Sequence, residues 1–278
     1  MSKKRLDVLL VEKKLAETRE KAKRLIMAGL VFSDQERLDK PGMQIEEATS
    51  ITVKGKPFPY VGRGGLKLEK ALKEFAITVK DKIIVDVGSS TGGFTDCALQ
   101  NGAKLCYAID VGYNQLDWKL RNDDRVIVME RTNFRYVTPD MLEYGKPNVA
   151  SIDVSFISLR LLLPVLKQLL MEASDVIALI KPQFEAGKEQ VGKKGIVRDP
   201  AIHQSVIKRL LAFSESEGYQ VLGLTFSPIT GGDGNIEFLT HLGWKKQAAV
   251  NPFSDNVIAS IVHKAHNELI RKQKKNGD

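Results

Sequence analysis

What this chain of 278 residues has little of already narrows its chemistry. It holds two cysteines, Cys97 and Cys106, without metal-ligand spacing, which excludes a disulfide scaffold and a cysteine-based zinc site. Both fall in an expected helix and strand of the core sheet, as reduced thiols. The four histidines, His203, His241, His263 and His266, form no zinc pattern, so no metal is expected. His263 and His266 read as the solvated face of a C-terminal helix. No run approaches the ~20 apolar residues that span a bilayer, and no charged-then-apolar leader opens the sequence. A cytoplasmic protein without a membrane partner is expected.

What is abundant is positive charge. The formal net charge of +8 favours a polyanionic partner, and its placement says more than its total. Between Lys3 and Arg24, nine Lys or Arg stand against four acids. Residues 1–58 read as a small module of their own. Leu6, Leu9 and Leu10 share a helical face, as do Ala22, Leu25 and Ile26. Thr18 suits an N-cap and Gly29 a left-handed terminator, with short strands at 30–32 and 51–53. Arg5 precedes the first helix, and Arg19 and Lys23 lie one turn apart on the second, so either a cationic binding face or ordinary solubilising charge fits. Pro57 and Pro59 stiffen the connection over 54–60. We take 59–63 as the linker and 64–278 as the second domain.

The second domain is organised around Ile83-Ile84-Val85-Asp86-Val87-Gly88-Ser89-Ser90-Thr91-Gly92-Gly93-Phe94-Thr95. An apolar, β-branched run ends at a carboxylate, and a small-residue loop leads into a helix, as a parallel strand enters a nucleotide-binding turn. Ser90 replaces the second glycine of the dinucleotide fingerprint, and Asp86 would repel a pyrophosphate. A nicotinamide dehydrogenase is therefore disfavoured. A cationic ligand such as S-adenosylmethionine (SAM) suits this carboxylate better. Asp110 closes the next apolar run, followed by Val111, where an acid holds ribose hydroxyls. The candidate cofactor contacts are Asp86, Gly88, Ser89, Ser90, Gly92, Gly93, Phe94, Asp110, Val111 and Asp153.

Strands are expected at 83–87, 105–109, 126–129, 149–153, 176–180, 221–226 and 236–242, mostly alternating with helices. This pattern predicts a doubly wound, mostly parallel α/β sheet. The last connection is too short for a parallel crossover, so the final strand is antiparallel. Ligands of such sheets bind beyond the strands' carboxyl ends. Asp86, Asp110, Asp153 and Lys181 end strands there. Glu237, starting the reversed strand, falls on the same edge, and Lys67 reaches it from a helix with apolar positions Leu68, Ala71, Leu72 and Phe75. Singly, each has a plain reading: Lys67 as a solvated lysine off the apolar stripe, Asp153 as a helix cap, 231–235 as a hairpin loop. Lys181, closing an apolar run, resists that, because an isolated ammonium is costly near a core.

These residues also carry a family resemblance. Arg5-Leu6-Asp7-Val8-Leu9-Leu10, Thr18-Arg19-Glu20-Lys21-Ala22 and Leu25-Ile26 to Gly29 and Val31 resemble the S-four RNA-binding domain. Lys67, Asp153, Lys181 and Glu237 resemble the Lys-Asp-Lys-Glu tetrad of FtsJ-class ribose methyltransferases. The surrounding blocks are Arg63-Gly64-Gly65-Leu66-Lys67-Leu68, Asp153-Val154-Ser155-Phe156-Ile157-Ser158, Lys181-Pro182-Gln183-Phe184-Glu185 and Gly234-Asn235-Ile236-Glu237-Phe238. Together with the N-terminal module they resemble the TlyA family.

The resemblance implies a Rossmann-like SAM-dependent methyltransferase fold, and 2′-O-methylation of cytidine in ribosomal RNA or ribosomal subunits. It implies Lys67, Asp153, Lys181 and Glu237 as catalytic residues, and Arg5, Arg19, Lys21, Lys23, Arg24 and Arg63 as RNA contacts. A neutral lysine can take the proton of a ribose hydroxyl if a second ammonium lowers its pKa, which suits Lys181 as base and Lys67 as its tuner and phosphate contact. The basic, glycine-rich loop 184–199 reads either as a mobile segment contacting RNA phosphates or as a plain connector. Phe58-Pro59-Tyr60-Val61 departs from the Arg-x-Trp-Val of some relatives, so nothing is carried over about domain coupling. The rival readings are a non-catalytic RNA-binding or ribosome-assembly factor and, since relatives have carried the name, a haemolysin.

Overall fold

The computed structural model describes residues 3–27, 29–34, 36–54, 59–192, 195–231, 234–246 and 252–275, with backbone alone for 270–275. Residues 55–58 of the expected connection, 193–194 of the expected substrate loop and 232–233 of the glycine-rich turn lie outside the described residues. The chain divides after Arg63 into two compact units.

In the smaller unit, helices Leu6–Glu12 and Arg19–Met27 pack together. Two short antiparallel sheets accompany them: Lys3–Arg5 with Gln44–Glu46, and Val31–Ser33 between Glu36–Arg37 and Thr52–Val53. Leu6, Leu9 and Leu10 meet Ala22, Leu25, Ile26 and Val31 in one core. The helical spacing of these apolar residues dictates that meeting. Thr18 caps the second helix, its Oγ1 accepting from the Lys21 N–H at 3.2 Å. Gly29, at φ +68°, ends it in the left-handed region that a β-carbon disfavours.

The larger unit is built on seven strands: β1 (Ile83–Val87), β2 (Leu105–Ile109), β3 (Val126–Met129), β4 (Val149–Ile152), β5 (Ser174–Ile180), β6 (Tyr219–Phe226) and β7 (Phe238–Trp244). All lie within two residues of the expected positions. Their order across the sheet is β6-β7-β5-β4-β1-β2-β3. β7 inserts between β5 and β6 and runs antiparallel to both, while β5, β4, β1, β2 and β3 pair in parallel. Every residue of β5 is buried, as a central strand covered on both faces requires. Val85, Ile152, Val176 and Phe238 pack with Leu163 and Leu166 of helix Leu163–Leu169 and with Ile207 and Leu210 of helix Pro200–Ser216. Each such side chain contributes roughly 1.5–3 kcal/mol when fully buried.

The reversal of β7 places the site. Phe238, its first residue, pairs with Ile180, the last of β5. Glu237 and Lys181 are therefore set side by side at the sheet's carboxyl edge.

Cys97 and Cys106 are buried and unbonded to one another. The expectation for His266 needs correction. It does not share the solvated face of helix Asp255–Lys275: its Nε2 lies 3.0 Å from Nδ1 of the buried His203, whose own helix packs alongside. His263 does remain exposed. Among the described residues, no helix is long and apolar enough to cross a membrane, and no His, Cys, Asp or Glu group is arranged to hold a metal.

Candidate active site

Four side chains from four separate elements converge at the carboxyl edge. Lys67 comes from helix Gly64–Glu74, Asp153 follows β4, Lys181 follows β5, and Glu237 precedes β7. The Lys67 ammonium lies 2.8 Å from Glu237 Oε2 and 3.1 Å from Asp153 Oδ2. Lys181 Nζ lies 2.6 Å from Asp153 Oδ1 and donates to Ser155 Oγ at 3.2 Å. The charges thus alternate Glu237, Lys67, Asp153, Lys181, and the four sum to zero. Lys67, Lys181 and Glu237 are buried, and Asp153 nearly so.

Burial pulls the Lys67 pKa down, but attraction by Asp153 and Glu237 outweighs it and leaves the value raised. Burial likewise pushes Asp153 up, and its two lysines more than reverse this, holding the carboxyl below its ordinary value. Two plain readings of single residues therefore fail. Lys67 is not solvated, and the Asp153 carboxylate binds lysines rather than capping a helix. The expected direct tuning of one ammonium by the other also changes, because Asp153 stands between them. Gly231 belongs to this arrangement, since a β-carbon there would lie 2.6 Å from Glu237 Oε1.

The glycine loop lies against the same edge. A β-carbon on Gly88, which has φ +83°, would meet the Asp153 carbonyl oxygen at 2.6 Å. Gly92, at φ +93°, leaves no room for a β-carbon beside Leu120. Gly93 opens helix Gly93–Gln100, with Phe94 buried behind it. Asp110 is half-exposed and ties the loop: Oδ2 accepts from the Ser90 N–H at 2.8 Å, and Oδ1 from the Gly112 N–H at 2.7 Å. Ser89 is buried and Val111 is exposed.

Asp86 departs from its expected role. It is buried, accepting from Thr95 Oγ1 at 2.7 Å and Ser151 Oγ at 2.8 Å. Burial pushes its pKa up to about 6. The carboxylate braces strand, helix and β4 from inside rather than facing a ligand.

Of the expected RNA contacts, Arg5 and Arg19 both bind the fully buried Asp7, each with a contact of 3.0 Å. Burial would raise the Asp7 pKa, but these hydrogen bonds hold it at about 2. Lys21 pairs with Glu17, and Lys23 with Glu20 at 2.8 Å. Lys21 is exposed, and Lys23, Arg24 and Arg63 are partly so.

Three residues beside the tetrad were not singled out from sequence. Ser155 contacts Lys181. Phe156 is 91% exposed in a left-handed conformation, φ +64°, with its ring 5.0 Å from that of Phe184. Glu185 bonds across to Ser158 and Leu159. All three lie inside the blocks that carry the family resemblance, but no periodicity marks them individually.

Comparison with known proteins accords with this geometry. The FtsJ-like methyltransferase family matches residues 60–244, and the S4 domain matches residues 4–51. A Bacillus subtilis protein, YqxC, provisionally described as an rRNA methyltransferase, is 65% identical over 98% of this chain and 97% of its own length. The 16S/23S rRNA (cytidine-2′-O)-methyltransferase TlyA of Mycobacterium tuberculosis is 39% identical over 95% of this chain and 97% of its own. A solved Streptococcus thermophilus structure, provisionally described as a hemolysin, is 53% identical, covers 99% of both chains and superposes with a TM-score of 0.78.

Proposed function

The chain belongs to the FtsJ-like methyltransferase family, with an S4 domain ahead of the matching region, and from that premise we propose that it methylates the ribose 2′-hydroxyl of cytidine in ribosomal RNA with SAM as donor. The observation that carries this reading is the alternating network of Glu237, Lys67, Asp153 and Lys181 at the carboxyl edge. A ribose hydroxyl is a weak acid and must shed its proton as it attacks. Lys67 is held as an ammonium by two carboxylates, which suits it to bind phosphate or the developing alkoxide. Lys181 lies between the Asp153 carboxylate and the Ser155 hydroxyl, and we assign it as general base. Such assistance contributes ~10²–10⁴-fold. Asp153 and Glu237 hold both lysines in place, which matters because alignment alone can supply up to ~7–11 kcal/mol of the barrier.

SAM, when bound, supplies an electrophilic methyl group. Asp110, Val111 and the backbone of Gly88, Ser89, Ser90, Gly92 and Gly93 would hold it, with Phe94 buried behind the loop. The fit rests on the left-handed turns at Gly88 and Gly92, which fold the loop at the carboxyl end of β1, and on the half-exposed Asp110 carboxylate. Asp86 supports that loop from within. The exposed ring of Phe156, paired with Phe184, supports stacking of the target base, since single-stranded bases are commonly held on aromatic faces.

We take residues 1–58 as the RNA-binding domain, 59–63 as its linker and 64–278 as the methyltransferase domain. Arg5, Arg19, Lys21, Lys23, Arg24 and Arg63 supply the RNA contacts. A reaction confined to the sugar needs its specificity from such a module. Mapping ribose methylation in ribosomal RNA from cells with and without the gene tests the reading. A cytidine 2′-O-methyl mark that depends on the protein supports it, and an unchanged map refutes it.

A further inference from the structure

We infer that Glu185 is a positioning residue, a strut that fixes the loop carrying Asp153, Ser155 and Phe156 against the segment carrying Lys181 and Phe184. This deepens the proposed methyl transfer and rests on that reading. β4 and β5 are parallel neighbours, so the segments leaving them, 153–158 and 181–185, rise side by side from one edge. The two must keep a set separation, because the Asp153–Lys181 contact and the Phe156–Phe184 pair both bridge them.

Glu185 spans that gap a second time, at the far end of both segments. Its Oε2 accepts from Ser158 Oγ at 2.6 Å, and its Oε1 from the Leu159 N–H at 2.7 Å. Leu159 is buried in the main core, so the strut ties the 153–158 loop to a rigid footing. Ser158 in turn caps the short turn Leu159–Leu161 by accepting from the Arg160 N–H.

The choice of a carboxylate is informative. Burial pushes the Glu185 pKa above the ordinary value, against its two hydrogen bonds and the weaker pull of Arg160 and Arg209. A carboxylate partly withdrawn from water costs stability. Two short, charge-assisted hydrogen bonds offset that cost, and what they secure is the spacing of two segments that both end in the tetrad. Phe156, in its strained left-handed conformation between Asp153 and this anchor, needs the surrounding loop to hold it there.

The test compares wild type with Glu185→Ala, Glu185→Gln and Ser158→Ala in steady-state methylation of ribosomal subunits, with SAM affinity measured by calorimetry. Glu185→Ala should lower kcat about 10–100-fold, while KM for RNA and Kd for SAM stay within about twofold. Gln can accept from the Leu159 N–H and donate to a reoriented Ser158 hydroxyl, so Glu185→Gln should recover to within about threefold of wild type. Ser158→Ala should lower kcat by a smaller factor, and combined with Glu185→Ala it should add little. Equal kcat in wild type and Glu185→Ala, or a loss that Gln does not recover, overturns the inference. If Glu185→Ala does not fold, Ser158→Ala decides: kcat reduced with both affinities held supports the strut, and kcat unchanged overturns it. Absence of methyl transfer by wild type would instead refute the underlying function.

Discussion

Each unit holds a small group of opposed charges, and the two are built differently. In the smaller unit one buried carboxylate, Asp7, sits beneath Arg5 and Arg19, whose side chains remain about half exposed. In the larger unit Lys67, Asp153, Lys181 and Glu237 are all withdrawn from water together. The first arrangement is an anchor: water still solvates the cations, and the carboxylate pins two chain segments. The second is a poor choice for stability alone, since burying paired ions is often no better than burying well-packed apolar residues. What it supplies is four charged groups with fixed geometry beside the glycine loop, as catalysis by preorganised charge requires.

Removing members of the two groups should therefore have opposite signatures. The largest effect is expected for Lys181→Ala, which should lower methyl transfer by roughly 10²–10⁴-fold, the usual worth of a general base, with SAM affinity near wild type. Lys67→Ala leaves Glu237 and Asp153 buried without their shared cation. Such uncompensated charge costs about 3–5 kcal/mol, so thermal unfolding should show a marked drop in Tm along with lost activity. Asp110→Ala should weaken SAM binding first, read by calorimetry, before any effect on the bound complex.

In the smaller unit, charge reversal at Arg19 and Lys23 should reduce RNA affinity and flatten its dependence on salt. Because Arg19 also holds Asp7, Arg19→Glu should destabilise the module as well, whereas Lys23→Glu should not. A drop in Tm of equal size for both would show that the Asp7 anchor contributes nothing. The smallest effect is expected at Lys21, whose pair with Glu17 is open to water and therefore contributes little.

pH separates the same two groups. Asp7 and Asp153 both have lowered pKa values in the fold. Their contributions to stability are present above the ordinary carboxylate range and are lost as pH falls through the folded value, about 2 for Asp7. Lys67 is raised, so its contribution is complete below the ordinary lysine value and lost as pH climbs through the raised one. Acid should then weaken both units and strong alkali chiefly the larger one, which chemical denaturation at several pH values will read.

The sheet was legible in the sequence because β-branched runs ending in Asp86, Asp110 and Asp153 are local signals. The place of Glu237 was legible because a short connection forces an antiparallel return. Lys67 misled at first inspection. Helical periodicity records which residues leave the apolar stripe, but not that carboxylates 86 and 170 positions later in the chain would meet this one. Asp86 misled for the converse reason: its chain position is that of a ligand contact, while Thr95 and Ser151 turn it inward. His266 found His203 only through the packing of two helices, and Phe156 owes its exposure to a backbone conformation that no pattern of residue types encodes.

The most direct measurement is transfer of labelled methyl from SAM to purified ribosomal subunits by wild type and Lys181→Ala, with SAM binding followed in parallel. The account predicts label on a cytidine ribose with wild type, and none above background with a variant that binds SAM within about twofold. Transfer by Lys181→Ala at the wild-type rate, or label on a base rather than a sugar, would contradict it.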